Sequence, residues 1–304
     1  MVQKVVVSRC DRLGDLVLSL PAANLVARAG LEVTLHCSAY ARDIGLWGLA
    51  NGLYSRLWVD GDPPPADVTR ETPVLALYDS PATTGVMRAL RSRRRFGPYS
   101  RATTYFRYSK GMRQHRSRVA KSEMAYNLDL VGGFLAWLGV EAPPFAPLPA
   151  LKVPAEWQAP RPSPDWVAVL SSGGSARNWA VGDYLTWLAE HRRAGESLDF
   201  LVQGVDAEER LRALEASGVL QQPGVGLVEN FDAVRDLIAY LAGAKQVLSS
   251  STGPLHIAHA AGVPVYGLYP EEPRVESFAR WKPDGYGHGA AVTLVPIVGA
   301  PITG

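Results

Sequence analysis

"KVVVSRCDRLGDLVLSLPAANLVARAG" forms residues 4–30 and changes from strand-like to helix-like spacing of apolar residues within one turn. Three β-branched residues, Val5–Val7, precede polar residues and Gly14, and apolar residues then recur at helical spacing over 16–29. We predict a strand, a glycine turn and a helix, the first half of a βαβ unit. The turn of such a unit lies at the carboxyl edge of a parallel sheet, where ligands bind. Asp15 stands at the start of the helix, where it is either a functional carboxylate or an N-cap.

The same alternation of strand-like and helix-like segments continues along the chain. In the first half, strands are predicted at 31–37, 55–60 and 73–79, and helices at 41–49 and 121–138. Residues 139–165 then contain eight prolines without periodicity, which is typical of a linker. The second half restarts the pattern, with strands at 166–172, 198–204, 225–229, 245–251 and 263–269, and helices near 181–193, 207–217, 232–242 and 254–261.

This order of elements predicts an α/β protein made of two Rossmann-like domains, with parallel sheets facing each other across a cleft. We expect an N-terminal domain over residues 1–150 and a C-terminal domain over 151–304. Packing of the tail after about residue 280 against the N-terminal domain is left open in this prediction.

The composition is that of an ordinary globular protein. The chain has 304 residues, an apolar fraction of 47% and a net charge of +2. Its two cysteines follow no disulfide or metal-binding pattern. No signal peptide is recognised, and the apolar tail from 289 is short for a membrane span and holds Pro296 and Pro301. We expect a reduced cytoplasmic protein, with attachment to a membrane surface left open.

Two loops of the second half have the composition of phosphate-binding turns, because small residues expose backbone N–H groups just before a helix. The first loop contains Ser172, Gly173, Gly174 and Arg177, and the second contains Ser251, Thr252, Gly253, Pro254 and His256. A flexible connection is the alternative interpretation of the first loop. His259, on the same helix as His256, is assigned a structural role.

Two carboxylates, Asp206 and Glu208, follow another predicted strand of the second half. Acidic residues in this position accept ribose hydroxyls in nucleotide-binding folds. Equally, they could favour the positive end of the next helix. Both interpretations are kept.

The residues from Ser80 to Ser122 include no Asp or Glu. They hold twelve of the 31 basic residues, namely Arg88, Arg91, Arg93, Arg94, Arg95, Arg101, Arg107, Lys110, Arg113, Arg116, Arg118 and Lys121. A solvated face normally mixes charge signs, so we expect this basic segment to meet an anionic partner. Nucleic acid, an anionic membrane and a phosphorylated lipid all have the required charge.

Four ordered blocks of the sequence resemble the heptosyltransferase family, glycosyltransferase family 9. They read "RCDRLGDLVLSLPA" (9–22), "ARNWAVGDYLTWL" (176–188), "VQGVDAEE" (202–209) and "SSSTGPLHIAHAAGVPVYGLY" (249–269). The last block, which is similar to the family's Asp-Thr-Gly-Pro-x-His motif, is the most specific. The resemblance implies a GT-B fold whose C-terminal domain binds a nucleotide-sugar and whose N-terminal domain binds the acceptor.

The resemblance also implies roles for individual residues. Asp15 would be the general base that takes the proton of the acceptor hydroxyl during inverting attack, with Asp11 as a weaker candidate. Donor binding is expected at Ser172, Gly173, Gly174, Arg177, Asp206, Glu208, Ser251, Thr252, Gly253, Pro254 and His256. Acceptor binding is expected at Arg9, Asp11, Arg12, Gly14, Arg93, Arg94, Arg95, Arg113 and Arg116. No metal ligand and no cofactor besides the nucleotide-sugar is expected.

Two positions depart from the family's pattern. Ser251 stands where the family has an aspartate, and Arg177 stands where it has a lysine. The arginine keeps the charge but changes its reach and geometry. Both departures concern the identity of the donor rather than the class of reaction.

The sequence therefore predicts an inverting, metal-independent glycosyltransferase that moves a sugar, heptose from ADP-heptose, onto a lipopolysaccharide core or a similar anionic glycoconjugate. Peripheral contact with the cytoplasmic face of the inner membrane fits such an acceptor. A sugar-nucleotide epimerase with a GT-B fold is one alternative. A non-catalytic relative that binds nucleotides or nucleic acid is the other, and we do not expect nucleic acid as a partner.

Overall fold

The chain divides into two compact units, Met1–Leu151 with Asp284–Gly287, and Lys152–Pro283 with His288–Gly304. The computed structural model describes residues 3–100, 102–170, 178–270 and 277–297. Each unit contains a parallel six-stranded sheet in its described part, so the predicted α/β class with two parallel sheets is confirmed.

The sheet of the first unit is built around the predicted first strand. In chain order its strands are β1 (Lys4–Arg9), β2 (Glu32–Cys37), β3 (Arg56–Val59), β4 (Val74–Ala76), β5 (Arg95–Tyr99) and β6 (Lys110–Arg113). They lie side by side in the order β3-β2-β1-β4-β5-β6, all parallel. Val5–Val7 are buried because β1 is flanked by strands and both faces of the sheet are covered.

The helices of the first unit are α1 (Leu13–Val17), α2 (Leu20–Arg28), α3 (Arg42–Ala50), α4 (Pro81–Ala89), α5 (Thr104–Arg107) and α6 (Glu123–Leu138). The helix predicted over 121–138 is continuous through Gly132–Gly133. A Cβ atom at Gly133 would approach Met112 to 2.8 Å and Phe96 to 3.0 Å, so the missing side chain lets α6 lie directly on β5 and β6.

The predicted helix over 16–29 is instead two helices, α1 and α2, and the cause is Pro21. Proline has no N–H group, so the carbonyl of Val17 loses the donor that a continuous helix would supply. The hydroxyl of Tyr286, from the returning segment Asp284–Gly287, donates to this carbonyl at 2.9 Å. Gly285 has φ +87°, and a Cβ there would meet Pro21 at 2.7 Å, so this segment can pass close to α2 only with glycine at that position.

The second unit repeats the same architecture. Its strands are β7 (Trp166–Val169), β8 (Leu198–Leu201), β9 (Val225–Val228), β10 (Gln246–Ser250), β11 (Val265–Pro270) and β12 (Val292–Ile297), in the order β12-β11-β10-β7-β8-β9. Its helices are α7 (Val181–His191), α8 (Ala207–Ser217), α9 (Val234–Gly243), α10 (Gly253–Ala260) and α11 (Phe278–Trp281).

Three strands lie where none was predicted. β5 and β6 fall within the basic segment, whose arginines hide the strand pattern, and β12 falls within the apolar tail. Among the described residues, no helix combines the length and the apolar character needed to cross a membrane.

Tyr286→Phe should lower the stability of the first unit by about 1–3 kcal/mol, because it leaves the Val17 carbonyl without its donor. Urea unfolding of the full chain, followed by circular dichroism, measures this loss. The matched control is Tyr40→Phe, since Tyr40 is 66% exposed and its hydroxyl has no described partner. Equal midpoints for the two variants would contradict the role given to Tyr286.

Candidate active site

The carboxyl end of β1 carries a group of charged side chains. Arg9 is the last residue of this strand, Asp11 lies in the turn that follows, and Asp15 lies in the first turn of α1. The side chain of Arg9 is 1% exposed, while those of Asp11 and Asp15 are 16% and 14% exposed. A buried guanidinium thus lies directly beneath two carboxylates that reach the surface.

The guanidinium of Arg9 binds a carboxylate with each of its nitrogens. Nε lies 2.8 Å from Oδ1 of Asp11, and Nη2 lies 2.5 Å from Oδ1 of Asp15. Nη1 lies 3.1 Å from Oε1 of Glu123, which is fully buried in the first turn of α6. Two parts of the sequence that are more than a hundred residues apart, the turn after β1 and the start of α6, are joined at this one side chain.

A second arginine, Arg116, completes the cluster. It forms an ion pair with the Glu123 carboxylate and donates to Oε1 of Gln114 at 3.0 Å and to the carbonyl oxygen of Leu77 at 2.9 Å. The Oδ1 atom of Asn127 lies 3.4 Å from both Arg9 and Arg116. Three carboxylates therefore face two guanidinium groups, which leaves a net negative charge in the cluster.

Asp15 is poised to exchange a proton near neutral pH. Burial raises its pKa, the Arg9 guanidinium lowers it, and the nearby Asp11 and Glu123 carboxylates raise it again, so that the pKa lies at about 6. The Oδ1 atom is held by Arg9, and within the described chain no partner binds Oδ2. A carboxylate that is held by one oxygen and open at the other can accept a proton from a bound hydroxyl group.

The alternative role of Asp15 as an N-cap is not what the structure shows. Arg12 occupies the N-cap position of α1, and no side chain caps this helix. Asp15 lies three residues further along, where its carboxylate faces Arg9 instead of the backbone N–H groups.

Two exposed tyrosines lie on either side of this cluster, and the sequence analysis missed them. The ring of Tyr78, two residues beyond β4, lies 5.2 Å from the Arg9 guanidinium and is 42% exposed. Tyr40 follows β2 in a short 3-10 turn and is 66% exposed. Because β2 and β4 flank β1, both rings lie at the same sheet edge as Asp15. An aromatic residue within three positions of the end of each flanking strand was the available signal.

The structure separates the arginines that were expected to bind the acceptor together. Arg9 is buried and engaged on every nitrogen, so it holds Asp15 rather than a ligand. Gly14 is also buried, whereas Arg12 and Arg113 are exposed at the carboxyl edge. Arg93 and Arg94 precede β5 at the opposite, amino edge, and Arg95 begins that strand. Arg93 forms an ion pair with Glu71, and Arg94 lies over the Trp137 ring.

In the second unit, the carboxyl end of β10 leads into α10 through Ser251 and Thr252. Thr252 is the N-cap residue of α10, but its hydroxyl faces Ser249 and Ser250 and does not cap the helix. The first turn, Gly253–Pro254, therefore presents a helix N-terminus without a side-chain cap. Such a terminus attracts anions.

His256 lies in this first turn and is 3% exposed. Its Nδ1 atom has no hydrogen-bond partner in the part of the chain that the structure describes. Burial and, as the smaller cause, nearby His259 lower the pKa of His256 to about 3, so the ring is neutral at pH 7. Its contribution would be a hydrogen bond rather than a charge. The buried ring of His259 lies 4.8 Å from that of His288.

A cavity of about 330 Å³ opens at the carboxyl ends of β8 and β9. Glu208, predicted from the sequence, lines it together with Gln203, Glu229 and Asn230. The last two follow β9 directly and were missed, although their position after a strand gave the same signal as Glu208. Asp206 lies outside this lining and forms an ion pair with Arg210 at 3.0 Å.

Four of the predicted donor-binding residues, Ser172, Gly173, Gly174 and Arg177, lie outside the described residues. Within the described ranges, no cluster of three or more His, Cys, Asp or Glu side chains is arranged to hold a metal ion.

A curated protein is similar in sequence to part of the chain. No protein-family model matches the chain. Over 187 residues, 58% of the chain, it is 29% identical to a Haemophilus influenzae protein named "Putative glycosyltransferase". The match spans 53% of that protein, so the chain corresponds to about half the length of this relative.

Solved structures share the fold over nearly the whole chain. The glycosyl transferase family 9 structure from Veillonella parvula DSM 2008 has a TM-score of 0.73 at 16% identity and covers 97% of this chain and 86% of its own. The E. coli ADP-heptose lps heptosyltransferase II has a TM-score of 0.69 at 15% identity and covers 98% of this chain and 92% of its own. The predicted resemblance to heptosyltransferases is confirmed at the level of the fold.

Arg9→Met should destabilise the first unit by about 3–5 kcal/mol, because it leaves buried Glu123 and the partly buried Asp11 and Asp15 without their common partner. Urea unfolding of the full chain measures the change. The matched control, Arg12→Met, removes an exposed arginine three residues away and should leave the midpoint nearly unchanged. If both variants unfold at the wild-type midpoint, Arg9 does not organise the cluster.

Proposed function

We propose that the chain is an inverting, metal-independent glycosyltransferase that moves heptose from ADP-heptose onto a lipopolysaccharide core or a similar anionic glycoconjugate. The observation that carries the proposal is the carboxylate of Asp15, which is held by buried Arg9 through one oxygen, open at the other and set to a pKa of about 6. The fold shared with glycosyltransferase structures and the similarity to the Haemophilus influenzae protein support this reaction class.

The reaction proceeds as a single displacement at the anomeric carbon of the donor sugar. Oδ2 of Asp15 accepts the proton of the acceptor hydroxyl as its oxygen bonds to the anomeric carbon. The bond from that carbon to the diphosphate oxygen breaks on the opposite face, and the electron pair leaves with the nucleoside diphosphate. Arg9 keeps the carboxylate in place. Because Arg9 is also paired with Asp11 and Glu123, its guanidinium stays in position when Asp15 is protonated.

The second unit supplies the groups for the donor. The uncapped N-terminus of α10 would stabilise the negative charge that grows on the leaving diphosphate, with His256 offering a neutral hydrogen bond. Arg177, known from the sequence, would add a positive charge. Glu208 and Glu229 would accept the ribose hydroxyls in the cavity beside β8 and β9. The E. coli ADP-heptose lps heptosyltransferase II, whose fold the chain shares, supports ADP-heptose as the donor.

On the acceptor side, exposed Arg12 and Arg113 would bind phosphate or carboxylate groups, and Tyr40 and Tyr78 offer ring faces for sugar stacking. A lipopolysaccharide-type acceptor is anchored in a bilayer, so the chain would work as a cytoplasmic protein in peripheral contact with the inner membrane.

The two alternatives differ from transfer in what they require. A sugar-nucleotide epimerase would convert the donor without any acceptor, and a non-catalytic relative would bind nucleotide or nucleic acid without turnover. No contact among the described residues favours either one. Product analysis with donor alone separates an epimerase from a transferase.

Asp15→Asn should reduce the transfer rate by about 10²–10⁴-fold while donor affinity stays unchanged, because the amide keeps the shape but cannot accept a proton. Calorimetry with ADP measures donor binding, and the matched control is Asp62→Asn, an exposed aspartate of the same unit. Full turnover of the Asn variant would remove Asp15 as the base.

The carboxyl group of Asp15 can accept a proton only when it is ionised, which requires a pH above its pKa. The transfer rate of the wild type should therefore fall as the pH drops through about 6.

Glu229→Gln should weaken ADP binding by about 10-fold or more, the loss expected for one hydrogen bond to a charged group. Inorganic pyrophosphate, which lacks the ribose, should bind this variant as it binds the wild type. Calorimetry with both ligands makes the comparison, and Glu215→Gln on the exposed far end of α8 is the matched control.

A thermal-shift panel of ADP-, GDP-, UDP- and dTDP-sugars should rank ADP-heptose first. Preference for another nucleotide would overturn the proposed donor.

A further inference from the structure

The basic segment contains one surface that the proposed reaction leaves unexplained. It is formed by the end of α4, the start of β5 and the short helix α5, and comprises Arg88, Arg95, Tyr105, Phe106 and Arg107. We call it the α4–α5 surface. Phe106 is 88% exposed and Tyr105 is 51% exposed, so two large aromatic side chains project from one helical turn. Exposed aromatic residues in such a group indicate an interaction site rather than an ordinary surface.

Next to Phe106 lies a cavity of about 270 Å³ that is lined by Arg88, Arg95 and Arg107, with Thr84 and Met87 forming part of its wall. The Nε atom of Arg95 is buried and has no hydrogen-bond partner among the described residues. Arg107 is neutralised by an ion pair with Asp79, whereas Arg88 and Arg95 have no described carboxylate partner. The cavity therefore combines a positive charge with an unused hydrogen-bond donor, which suits a phosphate group.

The surroundings add to this charge. Because residues 80–122 contain no Asp or Glu, the segment supplies no acidic residue of its own to neutralise it. Arg91 and Lys110 are exposed nearby along the chain, and neither has an ion pair in the described structure.

We propose that the α4–α5 surface docks onto a bilayer that contains acidic phospholipids, with Phe106 inserted at the interface and Arg88 and Arg95 binding headgroup phosphates. The charge of the segment is complementary to an anionic bilayer, and basic residues close to such a surface each add to the attraction. Phe106 supplies the apolar contact that an electrostatic encounter alone would lack. Single-stranded nucleic acid is favoured less, because the ring of Tyr105 is already stacked on Tyr99 at 4.3 Å and 13°.

The docking surface is connected to the candidate active site through side chains of the first unit. Arg107 of α5 and the hydroxyl of Tyr108 both bind Asp79. Asp79 directly follows Tyr78, whose ring covers the Arg9 guanidinium that holds Asp15. The docking itself does not depend on the transfer reaction.

The test is co-sedimentation of the full chain with vesicles of phosphatidylglycerol and phosphatidylcholine, compared with vesicles of phosphatidylcholine alone. We expect binding only to the anionic vesicles, and weaker binding as salt is raised. Phe106→Ser should reduce the partition coefficient about tenfold, the loss expected for one large apolar side chain. Arg88→Gln with Arg95→Gln should reduce it by roughly tenfold or more, given the attraction of each charge to an acidic bilayer.

Matched controls are Val205→Ser, which removes another strongly exposed apolar side chain, and Arg28→Gln, which removes an exposed arginine at the end of α2. Both should bind vesicles like the wild type, and melting temperatures confirm that every variant is folded.

Three results would overturn the proposal: no binding to anionic vesicles at low salt, equal binding to neutral vesicles, or unchanged binding of the Phe106 and arginine variants. Tighter binding of a single-stranded RNA, lost in the same variants, would assign the surface to nucleic acid instead. The vesicle assay contains neither donor nor acceptor, so a negative result does not contradict the proposed transfer reaction.

Discussion

The first unit is organised around a positive charge that water cannot reach. Burying the guanidinium of Arg9 would be strongly unfavourable without partners, so the fold must bring carboxylates to it. Asp11 and Asp15 come from the turn that follows β1, and Glu123 comes from α6. The same interaction sets the chemistry of Asp15. Burial alone would push the pKa of Asp15 higher than about 6, and Arg9 holds it within the range where a carboxylate can act as a base near neutral pH.

The parallel sheet explains why the functional groups collect where they do. The turn that follows each strand of a parallel sheet lies at the carboxyl edge, so Asp15, Tyr40 and Tyr78 share one edge although they are far apart in sequence. In the second unit, the same rule gathers the N-terminus of α10 and the cavity that contains Glu229. The rule also divides the basic segment, because residues that precede a strand and residues that follow it lie at opposite edges.

This division gives the basic segment more than one role. Arg116 forms an ion pair with Glu123 in the buried cluster, and Arg93 pairs with Glu71. Arg113 lies at the edge of the proposed acceptor site. Arg88 and Arg95 face a cavity beside exposed Phe106, a combination that suits an anionic interface better than a sugar. One acid-free stretch of sequence thus contributes to the buried cluster and, in the proposals made above, to acceptor binding and docking, according to where each residue falls relative to β5 and β6.

The sequence by itself determined the α/β class, the first strand with its glycine turn and the candidate role of Asp15, because these depend on local spacing and on short motifs. It could not reveal β5 and β6, since their strand pattern is hidden among arginines whose side chains reach out of the sheet. Nor could it show that Arg9 is buried, because its partner Glu123 lies 114 residues away. Only tertiary structure decides such contacts: strand order and helix packing determine which distant charges meet, and a buried charge is tolerated only where they do.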